Sequence, residues 1–328
     1  MGGMGLEIIG AESLGVRSLC CRVTLPNRRI VIDPGVALGY IRYGLQPHPV
    51  QIAVGRKIRD RILAVLEDAT DVVFSHFHGD HVPLVDANPY QLSVCSLPRS
   101  FRELRSWSKS CDDLTGVMRR RFQDVYDLMG SNMQIVEGRT VDGLTFSRSV
   151  PHGVPDSSMG TVMLTKVEVG GDVFVHASDI QLLDASTIDL LIGWRPDIVL
   201  AAGPPLYLDR LSSALCEMAW RNAVRLAQHV DVVILDHHLM RSQKGEVWLD
   251  ALSETVGRQV YCAADYMGYP RRLLEAERRQ WYQEMPVPEG WHEDYAQGKV
   301  NLDSYFDQFP YRGLQDWFAP YWDSKVQG

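Results

Sequence analysis

Four short apolar runs in this chain each lead into a histidine or an aspartate, and a fold that buries such runs as strands must gather those residues at one edge. The densest case is Asp71-Val72-Val73-Phe74, followed at once by Ser75-His76-Phe77-His78-Gly79-Asp80-His81. The first run is β-branched and aromatic and reads as a buried strand. His76 and His78, two apart, project in the same direction from an extended segment, and Gly79 lets the backbone turn sharply before Asp80 and His81. The His-x-His pair can hold one ion, and the adjacent Asp-His pair can hold a second close by. Imidazole and carboxylate donors suit Zn²⁺, Mn²⁺ or Fe²⁺, and incomplete protein coordination leaves water as a ligand. Such a water is a nucleophile near neutral pH.

The other runs supply further donors. His152 lies in Ser149-Val150-Pro151-His152-Gly153, after Leu144-Thr145-Phe146, and the flanking Pro and Gly mark it as a loop residue. Asp179 closes the run Asp172 to Ser178, and Asp236-His237-His238 follows Val232-Val233-Ile234-Leu235. Neighbours on an extended segment point to opposite sides, so one of His237 and His238 is expected to reach the metals. His237 is preferred, with His238 or Asp236 in support. His176 lies inside its apolar run and reads as a structural or supporting histidine. His48, His229 and His292 carry no motif and read as solvent-facing or structural.

In this order the residues resemble the metallo-β-lactamase-fold metallohydrolases, whose motifs run strand-Asp, His-x-His-x-Asp-His, His, Asp, His. Asp33, in Ile30-Val31-Ile32-Asp33-Pro34-Gly35, falls where that superfamily has an aspartate orienting the metal-binding loop. The resemblance covers about residues 6 to 268. It implies His76, His78 and His152 on a first metal, Asp80, His81 and the last His on a second, and Asp179 bridging both. Within the superfamily the chain looks most like a little-characterised branch of predicted metal-dependent hydrolases, on the stretches Glu12 to Ser18, Asp33 to Gly39, His176 to Gln181 and Leu235 to Leu239. The branch names no substrate.

At 328 residues and 45% hydrophobic, the chain can bury a large core. No stretch approaches the roughly 18 consecutive apolar residues of a membrane span, and Met1-Gly2-Gly3-Met4-Gly5 does not open a secretory signal, so a cytoplasmic protein is expected. The six cysteines, Cys20, Cys21, Cys95, Cys111, Cys216 and Cys262, have no Cys-x-x-Cys spacing and read as small buried hydrophobes. A net charge of −8 argues against a broad grip on extended nucleic acid but leaves room for a small or short anionic substrate. Arg119-Arg120-Arg121 reads as a solvated helix face paired with Asp112, Asp113 and Asp124. Arg17 and Arg42 are candidates for contacting an anionic substrate if the loop 34–49 folds over the metals, with surface salt bridging as the equal alternative. A homo-oligomer is compatible with the sequence.

Strands and helices alternate in the rhythm of an α/β αββα sandwich, two mixed sheets flanked by helices. Residues 1–268 form the metallo-β-lactamase-like domain, with a helical insertion at about 100–129. Residues 269–328 form an aromatic-rich extension that packs on the body or on a partner subunit, or caps the active site. The expected activity is that of a dinuclear metal-dependent hydrolase, with two divalent ions, Zn foremost and Mn or Fe as alternatives, and a metal-bound water or hydroxide. Asp80 or Asp179 would position that nucleophile and take its proton. A phosphodiester or another small ester-type substrate leads; a lactonase or thioesterase follows. From other classes, an iron-dependent oxidoreductase and a metal-stabilised scaffold without catalysis are the alternatives.

Overall fold

A computed structural model of the chain describes residues 3–155, 157–302 and 305. Its first sheet runs β1 (Gly5–Ile8), β2 (Cys21–Leu25), β3 (Arg28–Ile32), β4 (Asp71–Phe74), β5 (Arg105–Ser108) and β6 (Met133–Ile135) in spatial order. The first three strands form an antiparallel meander, and β3 to β6 are parallel. The chain then adds β7 (Thr140–Val141), β8 (Leu144–Phe146) and a small ribbon of β9 (Val150–Pro151) and β10 (Thr161–Val162). β11 (Thr165–Val169), β12 (Asp172–His176), β13 (Ile198–Ala201) and β14 (Val232–Leu235) complete a second sheet, ordered β14-β13-β12-β11-β8-β7 and parallel across β12 to β14. One continuous core includes side chains of both sheets. With helices flanking the sheets, this is the metallo-β-lactamase fold, an αββα sandwich.

β4, β12 and β14, which lead into the motifs, are buried throughout or in all but their first residue, as parallel strands covered on both faces must be. Crossovers return the chain to the same edge each time. α1 (Pro49–Glu67) links β3 to β4; it starts with proline, is capped by the His48 side chain accepting from Val50 N–H, and buries Ile58, Ile62, Val65 and Leu66. α3 (Ala185–Gly193) lies between β12 and β13, and α4 (Ser213–His229) between β13 and β14. At the far end of the first sheet, the buried Asp71 carboxylate accepts from Arg28 (2.6 and 3.1 Å), Arg105 (3.0 Å), Trp107 Nε1 (2.9 Å) and Thr70 Oγ1 (2.6 Å). This fan clamps the starts of β3, β4 and β5, so the motif loops leave from strands fixed at their other ends.

The segment 100–129 is not a helical insertion. Arg105–Ser108 is β5, interior to the first sheet, and α2 occupies only Gly116–Met129. Arg-Ser-Trp-Ser has no β-branched residue, so its strand character comes from β4 and β6 on either side. The arginine run departs from expectation too. Arg121 reaches the Phe77 carbonyl in the loop after β4 and Arg119 the carbonyls of Leu114 and Cys111, rather than the aspartates named for them. Of the cysteines, Cys20, Cys21 and Cys262 are buried, whereas Cys95 is exposed and Cys111 and Cys216 are half-buried, so the buried-hydrophobe reading fails for those three.

Past Met267, Leu273, Leu274, Trp281 and Trp291 join the core. The Arg278 guanidinium, on α7 (Arg278–Glu284), donates to Gln51 Oε1 and to the carbonyls of Gly39 and Leu45. His292, on α8 (Trp291–Ala296), lies between the hydroxyls of Tyr90 and Tyr282. Phe306, Phe309, Tyr311, Trp317, Phe318, Tyr321 and Trp322 lie outside the described residues. No described helix is long and apolar enough to cross a membrane.

Candidate metal centre

Three non-glycine residues with positive φ stand just past the ends of β3, β12 and β14: Asp33 (φ 50°), Ser178 (φ 53°) and His237 (φ 37°). A side chain resists this conformation, at a cost of order 1–3 kcal/mol each, so the surrounding contacts must hold it. Asp33 N–H donates to the Val73 carbonyl, and Asp33 accepts from Ser75 N–H (2.8 Å), Ser75 Oγ (2.5 Å) and His81 Nδ1 (3.1 Å). With its single proton on Asp33, the Ser75 hydroxyl can only accept from its other two neighbours, Ser178 Oγ at 2.6 Å and His76 Nδ1 at 3.0 Å. Protons on Nδ1 of His76 and His81 leave both Nε2 lone pairs facing inward. The Ser75–Ser178 contact joins the two sheets.

The inward atoms converge. His76 Nε2 lies 3.0 Å from His78 Nδ1 and 3.5 Å from Asp179 Oδ2, and His152 Nε2 lies 3.2 Å from Asp179 Oδ2. His81 Nε2 lies 3.4 Å from His237 Nε2 and 3.1 Å from Asp179 Oδ1. His237 Nε2 is 3.5 Å from both Asp80 Oδ2 and Asp179 Oδ2. His76, His78, His152 and Asp179 form one group whose donor atoms lie within 4.8 Å of one another; Asp80, His81 and His237 form a second.

This donor set fits a metal pair. Two ligands about 2.0–2.1 Å from one ion in tetrahedral geometry stand about 3.3–3.4 Å apart, close to the spacings seen. Asp179 Oδ1 and His238 Nε2 are buried and have no hydrogen-bond partner among the described residues. Burial favours a neutral Asp179, but interaction with the His237, His81 and His238 imidazoles and the His152 hydrogen bond outweigh it and hold the carboxyl well below its usual range. Burial is likewise outweighed at Asp80 by His81, His237 and Arg241. Burial keeps His76, His78 and His238 in the neutral form, and brings His237 down to about 4. At His81 burial loses to Asp179 and Asp33, which raise its pKa well above that of a free imidazole. Apart from His81, these are the ionisation states that metal ligation requires.

Both His237 and His238 reach Asp179, contrary to the expectation that only one would. Neither residue is extended: His237 has φ 37° and His238 has φ −67°, ψ −37°, so their rings share one side, with centroids 4.7 Å apart. His238 Nε2 lies 3.3 Å from Asp179 Oδ2. Asp236 is turned away and accepts from the backbone N–H groups of Ser13, His237 and Ala263. His176 stays outside both groups, with Nε2 3.0 Å from the Leu19 carbonyl. Arg17 is engaged by Glu275 (2.5 and 2.7 Å), while Arg42 stands over the Tyr207 ring, 5.0 Å from its centroid.

Two site residues were missed in the sequence. Arg241, almost fully buried, places Nη2 2.7 Å from His237 Nε2 and 3.4 Å from Asp80 Oδ2, while its Nε donates to Glu12 at 3.1 Å. Tyr207 stands between it (3.4 Å) and His238 Nδ1 (3.5 Å). The available signal was Arg241's place four residues after His237, one turn along a segment that cannot stay extended.

No family model matches the chain. It is 45% identical over 302 residues to a UPF0282 protein of Methanosarcina mazei, covering 92% of this chain and 99% of that one. Among solved structures, it is similar to Tm1679, described as a metal-dependent hydrolase of the β-lactamase superfamily (TM-score 0.47, 14% identity, 82% of this chain and 98% of that one). It is also similar to unliganded yeast PDE1 (TM-score 0.46, 14% identity, 79% and 96%).

Proposed function

The chain belongs to the UPF0282 family, and from the chemistry gathered at its sheet edge we propose that it is a dinuclear metal-dependent hydrolase acting on a phosphodiester or another small ester-type substrate. The observation that carries this reading is the meeting of two donor groups at one carboxylate: His76 and His152 approach Asp179 Oδ2 with His78 beside them, and His81 and His237, grouped with Asp80, approach Oδ1 and Oδ2. Nitrogen and carboxylate donors without thiolate suit Zn²⁺ first, then Mn²⁺ or Fe²⁺. Two such ions, when bound, would lower the pKa of water, polarise the scissile group and offset charge on the attacking and leaving oxygens.

The chain's own residues do the rest. Asp33, through Ser75 and His81, fixes imidazole tautomers before any substrate arrives, so no reorganisation is needed at the moment of reaction. Asp179 and Asp80 are held ionised in a buried site and are the groups that can orient an attacking water and accept its proton. His78 and Asp80 are the partly exposed members of the cluster, so substrate approaches from their side.

The test is elemental analysis of protein purified without chelator, joined to a turnover screen with bis-p-nitrophenyl phosphate, a lactone panel and a thioester. About two Zn or Mn per chain with phosphodiester turnover, both lost in Asp80→Ala, is the expected result. Lactone or thioester turnover alone would replace the substrate class, and two Fe without hydrolysis would point to redox chemistry. A chain that binds no metal would end the reading.

A further inference from the structure

Beside the imidazole cluster lies a wall whose charges do not balance. Arg17, Arg42, Arg241 and Arg278 stand against two carboxylates, Glu12 and Glu275, while Asp80 faces the imidazoles. The connections are close: Arg17 on Glu275 at 2.5 Å, Arg42 Nε 4.0 Å from the same carboxylate, Arg241 on Glu12 at 3.1 Å, and Arg42 donating to the Arg241 carbonyl at 3.3 Å. Arg278 donates only to neutral acceptors, Gln51 and two backbone carbonyls. With both carboxylates ionised, the wall holds two positive charges in excess, or one when Asp80, 3.4 Å from Arg241, is counted with it. Burial and the neighbouring Glu275 push Glu12 up toward its neutral form, which widens the imbalance. Buried like charges are costly unless something neutralises them.

The excess is aimed. Arg241 places Nη2 between His237 and Asp80 at the cluster, and its guanidinium carbon lies 5.9 Å from the Tyr207 ring centroid. Arg42 faces the same ring at 5.0 Å and is partly exposed, and its Nε has no hydrogen-bond partner among the described residues. Tyr207, also partly exposed, carries a hydroxyl within reach of both Arg241 and His238. A fork of donors and a phenol beside a metal pair suit a ligand with several anionic oxygens, because planar N–H pairs match such groups two at a time.

We propose that Arg241, Arg42 and Tyr207 form an oxyanion-binding subsite, so that the substrate carries a phosphate or carboxylate group next to the bond that is broken and neutral lactones and thioesters are not its substrates. This rests on the dinuclear reading only for the position of the scissile bond; the anion site itself does not need it. Arg241 and Arg42 bind the anionic oxygens directly, and Glu12 is a positioning residue that holds the Arg241 fork.

The test is calorimetric titration of full-length protein, as purified, with inorganic phosphate and separately with acetate, with metal content measured on the same samples. Removing one charge-assisted contact weakens anion binding about 10- to 100-fold, so Arg241→Gln is expected to lose phosphate affinity by that factor with metal content unchanged, and Arg241→Lys to recover part of it. Arg42→Gln, at a more accessible position, keeps the test open if Arg241→Gln does not fold, and is expected to give a smaller, salt-sensitive loss. Tighter binding of phosphate would assign the phosphodiester class, and tighter binding of acetate a carboxylated ester. In turnover, Arg42→Gln should raise KM for bis-p-nitrophenyl phosphate. Unchanged phosphate affinity in a folded Arg241→Gln or Arg42→Gln chain would overturn the proposal. So would loss of metal from Arg241→Gln combined with unaltered anion binding in Arg42→Gln. Metal-free wild-type protein that still binds phosphate through Arg241 would sink the hydrolase reading and leave the subsite standing.

Discussion

Replacing Asp33 by Asn keeps the shape of the side chain and removes the charge that organises the cluster. The carboxylate is fully buried and accepts three hydrogen bonds, from Ser75 N–H, Ser75 Oγ and His81 Nδ1. An amide has one oxygen for these donors, and facing it to Ser75 N–H turns the NH₂ toward His81 and the Ser75 hydroxyl. Ser75 can escape by rotating its proton toward Ser178, 2.6 Å away. His81 can escape only by moving its proton to Nε2, the atom that faces Asp179 and His237, or by leaving a buried donor unpaired at about 1–3 kcal/mol. Loss of a residue supporting a metal ligand lowers affinity roughly 10- to 100-fold, or about 1.4–2.7 kcal/mol. Because Asp33 touches His81 directly and His76 only through Ser75, the weakened ion should be the one held by Asp80, His81 and His237. Competition of Zn²⁺-loaded protein against a fluorescent chelator, with thermal unfolding followed in parallel, resolves the two ions. A folded Asp33→Asn chain that keeps both ions at wild-type affinity would refute the tautomer argument.

Three further outcomes follow from the geometry. At Gly35, an added Cβ would sit 2.3 Å from the backbone of His81 and Val82, so Gly35→Ala should displace the loop and lower metal content more than it lowers the unfolding midpoint; elemental analysis with calorimetry decides, and full metal content would contradict it. Asp71→Asn removes the charge shared by two arginines and an indole N–H far from the site; both arginines keep Asp142 as a partner, so the cost at neutral pH should be about 1–3 kcal/mol. Burial raises Asp71, but Arg28, Thr70 and Trp107 together lower it below its usual value, so its contribution is present above about pH 3.9 and fades as pH falls through the folded pKa. Urea melts of wild type and Asp71→Asn should therefore converge below about pH 4, and a gap constant with pH would refute the assignment. Since both rings face Asp179, His237→Ala and His238→Ala should each lower metal affinity, measured by chelator competition; a His238→Ala chain indistinguishable from wild type would restore the single-ligand picture.

The strand-end donors were legible because each follows an apolar run whose burial leaves little choice of direction, and Asp33, His76, His81, His152, Asp179 and His237 meet as the motif order implies. What could not be read depended on departures from extended backbone or on distant partners. His238 reaches the cluster because His237 takes a positive φ, which no periodicity announces. β5 hid in a polar segment whose strand character belongs to its neighbours. A salt bridge was open to Arg17 from the start, but its partner, Glu275, lies 258 residues further on. Arg241 had no motif of its own.

The cluster is divided between the sheets: His76, His78, Asp80 and His81 leave the end of β4, while Asp179, His237 and His238 follow β12 and β14. A folding chain that has formed either sheet alone has at most half a binding site. Metal can therefore contribute little to the barrier for folding, and its stabilisation should appear almost wholly as slower unfolding. For this fold, metal would act less as a seed than as a latch, setting how long the two halves remain together once they have met.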